Sequence, residues 1–222
     1  EFLESRRARA KALVAALKEQ FEYVSVLGVD TRSKHIMVNA NSSGILNGDD
    51  TECGFVVKIN NGGCFFEYSM DDIGADIPAA AAQVKESFTV SKLLREGSID
   101  RIVLKDEPLV QSFARPTDLA SYSDKDVLSF VQKMQKELQA KSEHILNAMI
   151  RVSTLEVSKL FVSANRELDQ IYTWINGFMG LAYLENDKTV QVFGFCDSAN
   201  MADVMAELPG KMDDLVDRAH HL

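Results

Sequence analysis

Four histidines, three cysteines and several adjacent carboxylates are the residues of this 222-residue chain that could do chemistry. The histidines are His35, His144, His220 and His221. Zinc proteases place two histidines one helical turn apart in H-E-x-x-H. Glu143-His144 lacks that second histidine, and its segment reads as strand. His220 and His221 are adjacent on a helix, so they project in different directions and make a poor chelate. Cys53, Cys64 and Cys196 form no C-x-x-C pair. Their odd number favours a reduced, intracellular protein. Cys53 and Cys64 fall on consecutive predicted strands and could be neighbours, but ordinary buried thiols are the simpler reading. Asp71-Asp72 and Asp213-Asp214 lie at helix edges, where acids are solvated or capping.

The sequence has no G-x-S-x-G for a serine hydrolase and no G-x-x-x-x-G-K for a nucleotide phosphate. Asn60-Asn61-Gly62-Gly63 could cradle a phosphate, but phosphate loops lead into a helix N-terminus and this one joins two predicted strands. No residue is therefore expected to be catalytic, cofactor-binding or metal-binding. Phe65, Phe66, Tyr172, Trp174, Phe178 and Phe193 all fall on strands. They read as core, or as the lining of a groove or strand edge that pairs with an extended peptide.

The composition is that of a globular chain, with 46% hydrophobic and 26% charged residues. The net charge is −9. Lys and Arg form no stripe, which disfavours a nucleic-acid surface. Residues Glu1 to Arg9 show no secretory signal, and Ile171 to Leu184 is too short to span a bilayer. These features predict a cytoplasmic location with no membrane partner.

One strand–loop–strand module is used twice. Ile36-Met37-Val38-Asn39-Ala40-Asn41 precedes Gly54-Phe55, and Leu160-Phe161-Val162-Ser163-Ala164-Asn165 precedes Gly177-Phe178. Periodicity predicts a helix over Ser5–Gln20, a strand over Tyr23–Asp30, a polar turn at Thr31–Lys34 and a strand over His35–Ala40. Another strand over Thr51–Ile59 is followed by a hairpin and a return over Cys64–Ser69. Asp76 caps the next helix, with Pro78 in its first turn and Leu93 or Leu94 on its apolar side. Gly97 closes the unit. A connector with a short strand over Arg101–Leu104 and an irregular path at Pro108 and Pro116 leads to a capping box at Ser123 and Asp126.

The following helix carries Val127, Val131, Met134 and Leu138 on one side. His144–Val157 and Lys159–Ala164 are predicted strands with a turn near Glu156–Ser158. The apolar run Leu168–Leu184 is expected to bend at Gly177 or Gly180. A turn at Asn186-Asp187-Lys188 and a strand over Thr189–Cys196 follow. Asn200 caps a final helix, broken at Pro209-Gly210. The result is an α+β fold of duplicated helix–antiparallel strands–helix units, each sheet covered by helices on one face. Residues 1–97 form the first unit, 98–122 a connector and 123–222 the second unit.

The first unit resembles the N-terminal region of the TldD/PmbA family of metalloproteases, also called modulators of DNA gyrase. The residues that carry the resemblance are Val29-Asp30-Thr31-Arg32-Ser33, Ile36 to Asn41, Cys53 to Ile59 and Gly62 to Ile73. In the second unit Leu160 to Asn165 and the strand around Gln170 resemble the part that follows. The resemblance implies the N-terminal domain of a larger protein. The family's H-E-x-x-x-H helix and cysteine would lie in a C-terminal half outside this chain. Zinc or a similar divalent metal is expected there.

What the resemblance implies is a non-catalytic scaffold and peptide-chamber domain of a metallopeptidase, involved in proteolysis of extended or unfolded peptides. This chain alone is expected to be inactive. Its implied partners are the C-terminal half, a homo- or heterodimer partner of the same family, and a peptide substrate. The alternatives are a protein-interaction module or the metal-less partner subunit of such a complex.

Overall fold

The N-terminal heptad-like pattern forms a helix, α1 (Phe2–Lys18), that buries Leu3, Ala10, Leu13, Val14 and Leu17. The computed structural model describes residues 2–62, 64–93, 104–115 and 117–221. After α1 come β1 (Tyr23–Val38), β2 (Ser43–Asn47), β3 (Glu52–Asn61), β4 (Cys64–Met70), α2 (Ile77–Leu93) and β5 (Leu109–Ala114). Then follow α3 (Asp124–Gln139), β6 (Ile145–Ser163), β7 (Arg166–Glu185), β8 (Lys188–Ser198), α4 (Met201–Glu207) and α5 (Met212–His220). Strand order is β4-β3-β1-β6-β7-β5, with β2 also on β1 and β8 also on β7. The fold is α+β, as the sequence predicts. The strand expected from Arg101, the close at Gly97, and Leu94 and Pro116 lie outside the described residues, as does the side chain of Leu93.

Two compact units divide the chain by contact, each built from three stretches. One takes Glu1–Thr31, Glu52–Ala114 and Val157–Ile171; the other takes Arg32–Thr51, Arg115–Glu156 and Tyr172–Leu222. The sequence repeat, by contrast, divides the chain consecutively.

In the first unit α1 and α2 cover one face of the strands, and Leu13, Val57, Ile59, Val84 and Leu160 meet in the core. Burying such aliphatic side chains supplies about 1.5–3 kcal/mol each. Asp76 caps α2 as predicted, its Oδ1 accepting from the Ala79 N–H at 3.0 Å. Phe66 packs edge-on against Phe88 of α2, with ring centroids 5.7 Å apart. β5 was hidden in the supposed connector. It lies parallel to β7, from Leu109 opposite Arg166 to Ala114 opposite Ile171.

In the second unit α3, α4 and α5 cover one face, where Val131, Met134, Ile150, Met179 and Leu215 are buried. Ser123 and Asp126 form the predicted capping box at the start of α3. The Pro209-Gly210 break is a short 3-10 segment, Leu208–Lys211, between α4 and α5.

Two predicted turns are strand instead. Thr31–Lys34 continues β1, because Thr31 and Ser33 find hydrogen-bond partners there. Thr31 Oγ1 accepts from the Glu52 N–H at 3.0 Å, and the Ser33 N–H donates to Thr51 Oγ1 at 3.0 Å. Both residues are buried. Glu156–Ser158 continues β6, where Val157 is buried. Glu-Val-Ser offers no residue that favours positive φ, whereas reversal occurs at Ala164-Asn165. There Ser163 Oγ accepts from the Arg166 N–H at 3.0 Å.

Gly177 and Gly180 do not bend β7. They let neighbours approach: a Cβ on Gly177 would stand 2.8 Å from both Cys196 Sγ and Val204 Cγ1. The turn at Asn186-Asp187 is as expected, with φ of 49° and 61°. Glu185 pairs with Lys188 across it, the geometry of a two-residue hairpin whose positive φ Asn and Asp tolerate.

Candidate functional site

The histidines are dispersed. His35 Nδ1 shares a 2.7 Å hydrogen bond with Ser153 Oγ. His144 Nδ1 donates to the Leu184 carbonyl at 2.9 Å, His220 Nδ1 to Glu185 Oε2 at 2.9 Å, and His221 Nδ1 to the Asp217 carbonyl at 2.6 Å. Three of the adjacent acids are paired: Asp72 grips Arg6 through two bonds of 2.6 and 2.9 Å, Asp213 accepts from Lys141, and Asp214 meets Arg218. The Arg6 guanidinium holds the Asp72 carboxyl below its ordinary value. Among the described residues no three His, Cys, Asp or Glu side chains gather as a metal site would require.

The cysteines depart from expectation in two ways. Cys53 and Cys64 are not neighbours: register places Cys53 opposite Asp30 and Cys64 opposite Asn61, at opposite ends of the β3–β4 hairpin. Cys53 is also exposed rather than a buried thiol, while Cys196 is buried. Burial pushes the Cys196 thiol up.

In the second unit a group of aromatic residues lies on the strand face opposite its helices. Along β7, Thr173, Ile175, Gly177 and Met179 turn inward, leaving Trp174, Asn176 and Phe178 on the other face. Along β8, Val192 and Cys196 are buried while Phe193 and Phe195 are 45% and 54% exposed. The register sets Phe178 opposite Phe195 and Gly180 opposite Phe193. The Phe178 ring centre lies 5.3 Å from that of Phe195 and 5.8 Å from that of Phe193.

Two cations complete this surface. Arg151 of β6 lies 5.0 Å from the Phe178 ring centre, and Arg115 lies 4.8 Å from that of Trp174. Such stacking holds a guanidinium by the ring quadrupole. A cavity of about 250 Å³ opens beside Arg151, lined by His35, Asp50, Ser153, Trp174 and Asn176 among others. Two larger cavities are less suggestive. In one of about 420 Å³, Lys11 is tied to Glu167; in the other, of about 410 Å³, Lys34 is tied to Asp124.

Of the aromatics singled out in sequence, Trp174, Phe178 and Phe193 share this face, and Phe66 packs, partly buried, against the core of the other unit. Arg151 and Phe195 escaped the sequence reading. The signal for Phe195 was present in Val192-Phe193-Gly194-Phe195-Cys196, where phenylalanines alternate with small or aliphatic residues. Nothing local distinguishes Arg151.

No protein-family model matches the chain, and no curated protein matches it. Its fold does match solved structures. One is a protein assigned as a modulator of DNA gyrase from Bacteroides thetaiotaomicron, with TM-score 0.78 and 13% identity over 97% of this chain and 49% of that one. A second, with the same assignment from Thermotoga maritima, gives TM-score 0.68 and 11% identity over 96% and 47%. TldE from Thermococcus kodakarensis gives 0.63 and 13% over 94% and 45%. At these identities the likeness is one of fold, and the chain spans about half the length of each structure.

Proposed function

We propose that this chain, with the fold it shares with modulator-of-gyrase and TldE proteins, is the non-catalytic scaffold and peptide-chamber domain of a TldD/PmbA-like metallopeptidase. The observation that carries the reading is that nearly the whole chain superposes on about half of each of those structures. The aromatic face of β7 and β8 supports it, since exposed rings with flanking cations suit extended polypeptide more than a compact metabolite. The remaining half of the parent would bring the divalent metal, which polarises a scissile carbonyl and activates water. This chain would contribute binding surface and subunit contacts, in a cytoplasmic setting.

The test compares the chain alone with the full reading frame on an unfolded peptide substrate, with zinc added. Chelator-sensitive cleavage is expected from the full protein and not from these residues. Turnover by the chain alone would overturn the reading.

A second reading, a protein-interaction module or metal-less partner subunit, is favoured by β5. All six of its residues are exposed, and Val110 reaches 80%. An uncharged, exposed strand is a template for pairing with another chain. A full-length protein that binds a family partner yet cleaves nothing would select this second reading.

A further inference from the structure

We infer that Arg151 is the docking point for a carboxylate carried by an extended, apolar peptide. This deepens the proposed peptide-handling role and rests on it. The Arg151 side chain is half-buried, and its Nε is sealed from solvent yet meets no acceptor among the described residues. With Nε closed off, what this half-buried side chain can offer the cavity it lines is its pair of terminal Nη groups, which carry four of the five donors of a permanent cation.

The surroundings narrow the class of acceptor. The guanidinium is stacked at Phe178, which fixes the plane of its donor fork. A planar fork matches a carboxylate through two parallel hydrogen bonds. A space of about 250 Å³ admits one residue-sized group and not a nucleotide cofactor. Beyond it, Phe193 and Phe195 extend an apolar step for the side chains that precede the acid. The carboxylate belongs either to a free peptide C-terminus or to an Asp or Glu side chain; the chemistry at Arg151 is the same.

Fluorescence polarisation of the chain with a labelled apolar hexapeptide tests the inference. Three forms are compared: the free C-terminal acid, its amide, and an amide carrying one internal Glu. The acid is expected to bind about tenfold more tightly than the plain amide, the loss of one charge-assisted contact. Recovery by the internal-Glu amide identifies a side chain as the source; no recovery identifies the C-terminus.

Arg151→Gln should remove the preference for acid over amide, and Arg151→Lys should keep part of it. Circular dichroism and the melting temperature report whether each variant folds, and the acid–amide comparison on the unaltered chain needs no variant. Equal binding of acid and amide overturns the carboxylate assignment. If those peptides still lose affinity with Phe195→Ser, peptide handling by this face survives alone. If no peptide binds in any form, both readings fail.

Discussion

Asp118 closes the N-terminus of α4 by accepting from Met201, 83 residues further along the chain. Its Oδ1 takes the Met201 N–H at 2.7 Å, and its Oδ2 takes the Ala202 N–H at 3.1 Å. Asn200 stands at the cap position but makes no side-chain cap bond. It donates instead to Asp203 Oδ2 at 3.2 Å. A carboxylate at a helix N-terminus both satisfies orphan donors and complements the helix dipole. Asp118→Ala should therefore cost about 1–2 kcal/mol in denaturant unfolding, and Asn200→Ala much less. The reverse order would show that the local residue is the working cap.

Two glycines on neighbouring strands make a matched pair. A Cβ on Gly177 would press within 2.8 Å of Cys196 Sγ and Val204 Cγ1, whereas on Gly194 it would make an ordinary 3.6 Å contact with Leu215. Gly177→Ala should destabilise by about 1–3 kcal/mol through overpacking. Gly194→Ala should leave the melting temperature nearly unchanged or raise it. Equal melting temperatures for the two variants would refute close approach as the reason for Gly177.

Acid should loosen the tie between α1 and β7. Lys11 first, then Arg7, hold the Glu167 carboxyl below its ordinary value. The Arg7 Nη1–Glu167 Oε1 distance is 2.8 Å, and Arg7 also reaches Asp169 at 3.2 Å. A carboxylate depressed in the folded state stabilises fully above its unfolded pKa. That stabilisation disappears as pH falls through the folded value. The loss should begin near the ordinary glutamate pKa, about 4.3, and continue below it. Glu167→Gln should cost about 1 kcal/mol at pH 7, allowing for solvent screening, and almost nothing at pH 2. Stability profiles against pH for both proteins decide this; parallel curves would contradict it.

Thiol labelling should separate Cys53 from Cys196. Cys53 is exposed and should react in the native protein. Cys196 is buried, its thiol is pushed up by desolvation, and its Sγ lies 4.0 Å from the Val204 carbonyl as a weak donor. It should react only on unfolding. Mass spectrometry of a Cys64→Ser chain alkylated with and without denaturant reads both sites. Rapid native labelling of Cys196 would mean that α4 opens locally.

Short-range chemistry in the sequence determined much of this protein. Ser123 and Asp126 announce their capping box, Asp76 caps α2, and Asn186-Asp187 turns a hairpin. Each works through atoms only a few residues apart. The alternation of Val192, Phe193, Phe195 and Cys196 likewise fixes which side chains share a face, because a strand has a period of two.

Tertiary structure decided what depends on distant partners. Thr31 and Ser33 are polar enough to suggest a turn, yet Glu52 and Thr51 satisfy them within a strand. Leu109–Ala114 passes for connector until Arg166–Ile171 pairs with it. Arg151 is one arginine among many until Phe178 stacks on it and its Nε is closed off from water. A hydrogen bond or a desolvation cost between residues far apart in the chain leaves no local pattern, and only folding brings the two members together.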